Sequence, residues 1–361
     1  MIYIHVPFCH RKCTYCAFFS KVEGGKWRMD SYVDALVEEM RQRRDEQAHP
    51  IKTVYFGGGT PSILPIEQLE RIVKALHDNF DLSQVEEVTL EANPEDLTIG
   101  YLQGLKKLGL VNRLSIGIQS LDDEMLRLLN RRHTAAQAID AIENAHSVGF
   151  NNLSVDIIYG LPSMTSYDSS TSLTSLISKV SHLSAYALTV ESGTALAVQV
   201  EQGRVELPDE EEVVRQYHSL CQQFSDAGFL QYEVSNFARP GFESRHNSRY
   251  WNRTPYLGLG PGAHSFDGFR RRWNKPDGTF EQETLTEADA YNELLMTALR
   301  TTRGVSLAQV PEQYKERLHR EMQPYVDSGW IVVRSEVGGW RYEPTPEGLL
   351  HADGIAAALF V

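Results

Sequence analysis

Ile2-Tyr3-Ile4-His5-Val6-Pro7-Phe8-Cys9-His10-Arg11-Lys12-Cys13-Thr14-Tyr15-Cys16 decides the reading of this chain: a short β-branched run leads directly into three cysteines spaced C-x3-C-x2-C. Three thiolates on one short loop can hold three irons of a cubane [4Fe-4S] cluster, whereas a closed cluster needs a fourth. One iron is then left open. A free coordination position is what separates a reactive metal site from a structural one. Here it suits chelation by the amino and carboxylate groups of a methionine, the arrangement needed to pass one electron into the sulfonium of S-adenosylmethionine. The competing assignment is a zinc site completed by His5 or His10.

The rest of the composition narrows the class. Four cysteines in 361 residues is sparse usage, and no leader with a basic start, a long apolar core and a small-residue cleavage site is present. A disulfide-stapled secreted protein is therefore disfavoured and a cytoplasmic one expected. Cys221 lies in a helical pattern among apolar neighbours and reads as a buried small side chain. No apolar run approaches the ~18 residues of a membrane span, so membrane contact would be peripheral at most. The formal charge of −13 argues against nucleic acid as a partner, because phosphate affinity depends on Lys and Arg displacing counterions. Arg239, Arg245, Arg249, Arg253, Arg270, Arg271 and Arg272 nevertheless cluster in one third of the chain. They form either a solvated face or a site for an anionic ligand, since guanidiniums match carboxylates.

Short β-branched runs alternate with amphipathic helical segments, which is the sequence form of βα units around a parallel sheet. Strands are expected over Ile2 to Val6, Thr53 to Phe56, Glu87 to Glu91, Arg113 to Ile118, Leu153 to Ile158 and Ala185 to Val190. Helices are expected over Asp30 to Arg44, Pro65 to Phe80, Leu97 to Leu108, Ala135 to Val148 and Ser169 to Lys179, with Asp30 capping the first. Such repeats fit an open or partial barrel occupying residues 1–236. A His-, Arg- and aromatic-rich connection is expected over 237–284. A different texture follows over 285–361: helices from Glu287 to Arg300 and Glu312 to Asp327, a hairpin from Trp330 to Val333 and Trp340 to Tyr342, and a last helix from Pro346 to Ala358.

In βα barrels the ligand site forms where loops meet at the carboxyl ends of the strands. The first strand feeds the cysteine loop. The second runs into Gly57-Gly58-Gly59-Thr60-Pro61, whose missing side chains let a ligand approach backbone amides, although a tight turn before a helix explains the run as well. The third strand ends in Glu91, the fourth in Gln119, and the fifth carries Asp156. Each alone could serve a turn or cap. Together at one end they suit a ligand bearing an ammonium, a ribose and an adenine.

Tyr3 to Cys9, Cys13-Thr14-Tyr15-Cys16, the Gly-Gly-Gly-Thr-Pro run, Glu91-Ala92-Asn93-Pro94, Arg113 to Ser120, Arg131 and Asp156 to Pro162 together resemble the radical S-adenosylmethionine proteins of the oxygen-independent coproporphyrinogen III dehydrogenase (oxidase) group. The resemblance covers nearly the whole chain. It implies an α/β fold, a radical SAM partial (β/α)6 TIM-type barrel with a small helical, winged-helix-like C-terminal domain. It also implies Cys9, Cys13 and Cys16 as cluster ligands, and Tyr3, Gly58, Gly59, Thr60, Glu91, Gln119, Arg131 and Asp156 as contacts to S-adenosyl-L-methionine, with Tyr15 close to the cluster. Two departures separate the chain from the authentic dehydrogenase. That enzyme has a further cysteine two positions after the third ligand, where Phe18 stands here. It also has an extension before the first strand, whereas here only Met1 precedes Ile2.

Both departures fit the shorter, haem-chaperone branch of the group. His246-Asn247-Ser248-Arg249-Tyr250-Trp251 matches that branch's H-N-x-x-Y-W motif, associated there with haem. A neutral imidazole can ligate haem iron, aromatic faces can stack on a porphyrin, and arginines can pair with its propionates. The alternative is that His246 hydrogen-bonds within a packed loop; His264 is a weaker ligand candidate. The resemblance thus implies haem as bound cargo, delivery to acceptor haemoproteins such as respiratory enzymes, and a cluster-dependent homodimer for which no coiled-coil seam is visible. The rival expectation is a radical enzyme acting on a porphyrin, and a zinc-stapled interaction module stands behind both.

Overall fold

The computed structural model describes residues 1–22, 28–47, 49–162 and 171–361, apart from the side chains of 171 and 172. Strand periodicity sets the layers. Ile2, Ile4 and Val6 are fully buried against the helices Met29–Arg43 and Ile66–Asn79, which contribute Val33, Leu36, Met40, Leu69, Ile72 and Leu76 to the same core. Tyr3 and His5 alternate to the opposite face, as the two-residue strand repeat requires.

Six strands, Ile2–Val6, Thr53–Gly58, Glu87–Ala92, Arg113–Gln119, Leu153–Tyr159 and His182–Ala187, pair in parallel and in sequence order. The sheet does not close. Leu257–Leu259 adds in parallel beside the first strand, and Asn236–Ala238 followed by Leu230–Gln231 adds antiparallel beside the sixth, giving nine strands. An open barrel of this kind leaves one end of the lumen lined by the strand-to-helix loops.

The first five strands lie where the sequence places them, each with at most two extra residues at its carboxyl end. The sixth begins three residues earlier than expected, because its polar start, His182 and Ser184, faces inward and breaks the apolar run. Among the helices, Ala135–Ser147 opens with a Thr134/Gln137 capping box, worth about 1 kcal/mol. Asp30 does not cap the first helix: Arg28 occupies the cap position without a side-chain bond, and the Asp30 carboxylate instead accepts from Gln68 on the next helix. The expected helix from Ser169 is described from Thr171 to Lys179, and its first two residues lie outside the described residues.

The expected boundary at 236 crosses the strand Asn236–Ala238, and the expected connection supplies Leu257–Leu259 to the main sheet and its core. Its remainder includes an antiparallel ladder of His264–Phe266, Arg270–Asn274 and Phe280–Thr284. Beyond it, Tyr291, Leu295, Leu299, Leu318, Met322, Tyr342 and Ile355 form a separate core. Around that core stand the helices Glu287–Ala298 and Glu312–Asp327, a three-stranded sheet, and the short helices Pro346–Leu350 and Ala352–Ala358. Among the described residues no helix is long and apolar enough to cross a membrane.

Candidate functional site

A cavity of about 470 Å³ lies at the carboxyl ends of the strands. Cys9, Cys13 and Cys16 stand on its wall on one loop, all three partly accessible, with Tyr15 beside Cys13 and Cys16. Donors point at the sulfurs: Thr60 Oγ1 lies 3.5 Å from Cys9 Sγ, and Arg131 Nη1 lies 3.5 Å from Cys13 Sγ. Burial pushes the Cys9 and Cys16 thiols up, and the Thr60 hydroxyl pulls Cys9 partly back. Donors aimed at sulfur favour the thiolate, the form that binds metal. Among the described residues, no three Cys, His or carboxylate groups converge tightly enough to hold a single ion. A cubane takes three thiolates at separate corners, and one short loop supplies three here. The donor set therefore fits a cluster.

The second strand's glycines have reasons in packing. A side chain on Gly59 would lie 2.5 Å from the Phe8 carbonyl oxygen, and one on Gly58, whose φ is +109°, would lie 2.7 Å from the His5 ring. Their amides are not free for a ligand, contrary to the sequence reading: Gly58 N–H donates to Glu91 Oε2 at 3.1 Å and Gly59 N–H to the Val6 carbonyl at 2.8 Å. What both present to the cavity is backbone without Cβ.

Three neighbouring strands then carry an acidic belt. Tyr55 donates to Glu91 Oε1 at 2.7 Å, and Ser115, which pairs in register with Glu91, donates to Asp156 at 3.4 Å. Burial raises both carboxyls, Glu91 to about 7, with the Tyr55 hydroxyl pulling it down and Asp156 pushing it further up. Fully buried Arg113, one layer deeper on the same strand face, draws both back towards the charged form. Gln119 reaches the cavity through a bulge: the ladder shifts register between Gly117 and Gln119, and Gln119 holds a φ of +70°. Its amide would be 2.8 Å from a Cβ at Gly117, which explains the glycine there. Arg131 sits inside the same space, donating to Asn93 Oδ1 at 2.7 Å and to the Gly117 carbonyl.

Cys9, Cys13, Cys16, Tyr15, Gly58, Gly59, Thr60, Glu91, Gln119, Arg131 and Asp156 thus share one cavity. Tyr3 does not line it. Its ring stacks on Tyr55 at 6.1 Å and its hydroxyl lies 3.2 Å from His5 Nδ1, which places it beneath the glycine turn. His5 bonds the Phe19 carbonyl at 3.0 Å and braces the cysteine loop. Sequence reasoning passed over Asn93, Ser115 and Arg113. The alternation Arg113, Ser115, Gly117 was the available signal for the last two, since one strand face carries all three ahead of the bulge.

His246 stands in the packed, hydrogen-bonded setting that was the alternative to haem ligation. The helix Arg245–Trp251 lies at the opposite, amino-terminal end of the strands, and His246 is wholly buried there. Its Nδ1 lies 2.9 Å from Thr53 Oγ1, its Nε2 lies 3.1 Å from the Tyr250 hydroxyl, and its backbone N–H donates to Glu87 at 2.8 Å. Burial and neighbouring positive charge, Arg113 included, hold the ring well below its ordinary pKa and so neutral. Both nitrogens are engaged in these bonds. Asn247 donates its backbone N–H to Ser244, which caps the helix, and Trp251 packs under the Arg300 guanidinium at 4.9 Å. His264 is exposed, edge-on to Trp273 at 5.9 Å.

The arginine cluster disperses as well. Arg245 pairs with Glu86, Arg253 and Arg271 with Glu293, and Arg272 with Glu46, while Arg239 stacks on Phe229. Cys221 is half-buried, its thiol pushed up to about 11 by burial.

Residues 3–168 match the Radical SAM superfamily. The "Heme chaperone HemW" of Lactococcus lactis is 33% identical over 334 residues, covering 88% of this chain and 87% of that protein. The "Heme chaperone HemW" of Synechocystis is 33% identical over 396 residues, covering 99% of this chain and 95% of that protein. The chain belongs to the HemW family of radical SAM proteins. Its fold is that of coproporphyrinogen III oxidase (HemN) from Escherichia coli, with a TM-score of 0.83 and 22% identity over 100% of this chain and 89% of that one. Membership of the radical SAM superfamily implies S-adenosylmethionine and a [4Fe-4S] cluster. In this HemW-family chain the cysteine loop and the acidic belt open on one space, at the strand ends where the fold places its ligands.

Proposed function

We propose that the protein is a haem chaperone that binds haem and delivers it to acceptor haemoproteins such as respiratory enzymes. The observation carrying this reading is the near full-length similarity to proteins bearing that name. Cys9, Cys13 and Cys16 would hold the cluster, with Arg131 and Thr60 donating to two of its thiolates. Gly58, Gly59, Thr60, Gln119 and Asp156 would surround S-adenosylmethionine, and Glu91 would balance its positive charge. When bound, such a cluster supplies one electron to the sulfonium. With His246 buried elsewhere, the cavity rim is the better place for a flat ring. Phe18 is 71% exposed and Tyr186 42% exposed, and Leu188 lines the same mouth. Arg11 and Lys12 line it too and suit propionates.

A second reading is a radical enzyme acting on a porphyrin. It is favoured by the complete acidic belt and by Arg131 inside the cavity. One anaerobic experiment separates the two. Reconstituted protein is loaded with haemin and mixed with an apo-respiratory haemoprotein, while a parallel sample receives S-adenosylmethionine, reductant and coproporphyrinogen. Transfer of the haem spectrum without carbon dioxide release supports the chaperone. Coproporphyrinogen turnover without transfer sinks it.

A further inference from the structure

A second cavity, of about 460 Å³, lies between the end of the helix Arg245–Trp251 and the C-terminal unit. Among the described residues, three arginines line it, Arg253, Arg303 and Arg341, and no acidic residue does. Each arrives there differently. Arg253 follows the helix end in a left-handed conformation with φ +52°, its N–H capping the Tyr250 carbonyl at 2.9 Å. That position usually falls to glycine, so the backbone here accepts strain while keeping a charged side chain. Two carboxylates stand behind the cavity and orient the arginines: Glu293 lies 3.3 Å from Arg253 Nη2, and Glu336 accepts from Arg341 Nε at 2.7 Å.

Arg303 is exposed and, among the described residues, has neither an ion-pair nor a hydrogen-bond partner for its side chain. The turn that presents it is fixed, because a Cβ on Gly304 would fall 1.8 Å from the Tyr342 carbonyl oxygen. The Trp251 indole N–H and the Arg253 Nε–H are buried without an acceptor. The volume falls within the range of small-molecule sites, roughly 300–1,000 Å³.

We propose that this cavity binds a small molecule bearing carboxylate or phosphate oxygens, held by Arg253, Arg303 and Arg341 at the junction of the barrel and the C-terminal unit. Guanidiniums offer paired donors to planar carboxylates and to phosphate. The oxyanion would sit between two oriented arginines and one unpaired arginine, and its occupancy would tie the two units together. This site is separate from the cluster cavity and stands or falls independently of haem transfer.

The test is isothermal calorimetry on the full chain with its cluster reconstituted, using citrate and inorganic phosphate as probes at ionic strength matched with sodium chloride. We expect saturable one-to-one binding of at least one probe, weakened about tenfold or more in Arg303→Gln, the loss of one charge-assisted hydrogen bond. Arg303→Gln should melt like the wild type without anion, since that side chain supports nothing in the fold. Preference for citrate assigns carboxylate chemistry and preference for phosphate assigns phosphate. Competition by haemin would identify porphyrin carboxylates as the source, and its absence a free anion. Two results overturn the proposal: no saturable binding of either probe, or equal affinity in a normally melting Arg303→Gln.

Discussion

Glu91 gives the sharpest test of the cofactor assignment. Its carboxyl is buried, bonded by Tyr55 and the Gly58 amide, faced by Asp156 and Arg113, and pushed up to about 7. At neutral pH the empty site is therefore about half protonated. A cationic ligand such as S-adenosylmethionine binds the ionised form better, so binding must expel that proton. If the bound complex holds Glu91 ionised throughout, affinity scales with the ionised fraction of the free protein. That fraction rises from about one tenth at pH 6 to about nine tenths at pH 8, so affinity should rise about tenfold, or ~1.4 kcal/mol.

Anaerobic calorimetry across that range on reconstituted protein measures the slope, and NMR of labelled glutamate on the cluster-free chain reads the Glu91 titration directly. Glu91→Gln should bind more weakly at pH 8 and lose most of the slope. A flat profile in the wild type, or a slope undiminished in the variant, refutes the reasoning. Stability responds to pH in the opposite direction. Because folding raises this pKa, the contribution of Glu91 is fullest below the ordinary carboxylate value near 4.5 and is lost as pH rises through about 7.

Other outcomes follow from single contacts. His246→Ala should lower stability by about 2–4 kcal/mol, through the lost ring bonds and the void beside Tyr250, with haemin spectra unchanged; loss of an axial-ligand signature would restore His246 as ligand. Replacing any one of Cys9, Cys13 or Cys16 by alanine should abolish a stable four-iron load, and Phe18→Cys should leave iron content unaltered because that side chain is mostly in solvent; elemental analysis after anaerobic reconstitution decides both. Gly258→Ala places a methyl 1.8 Å from the His264 carbonyl oxygen and should cost at least about 1–3 kcal/mol in denaturant unfolding. Arg131→Met removes a donor and a positive charge from Cys13 and should lower the cluster's midpoint potential in a redox titration.

Much was legible before any coordinates. Helices such as Glu312–Asp327 and strands such as Ile2–Val6 begin and end where their local patterns do, because periodicity and turn chemistry act over a few neighbouring residues. The cysteine loop was legible for the same reason, since its donors lie within eight positions of one another. The bond from Arg131 to Cys13 was not, although the family resemblance implies Arg131 as a contact to S-adenosylmethionine. Its distance from Cys13 along the chain is 118 residues, and only the barrel brings the guanidinium to the sulfur.

The order of residues alone determined that this chain alternates strand and helix, carries a three-thiol loop after its first strand, and ends in a unit of different texture. Tertiary structure decided which polar residues share a space. His246 and Glu91 look equally functional in a string of letters. Parallel pairing sends one to the amino-terminal floor of the barrel, where Thr53 and Tyr250 consume its nitrogens, and the other to the open end with the cysteines. The reason is directional. Every parallel strand has one end that closes and one that opens to ligand, and a local pattern does not say at which end a distant segment will dock.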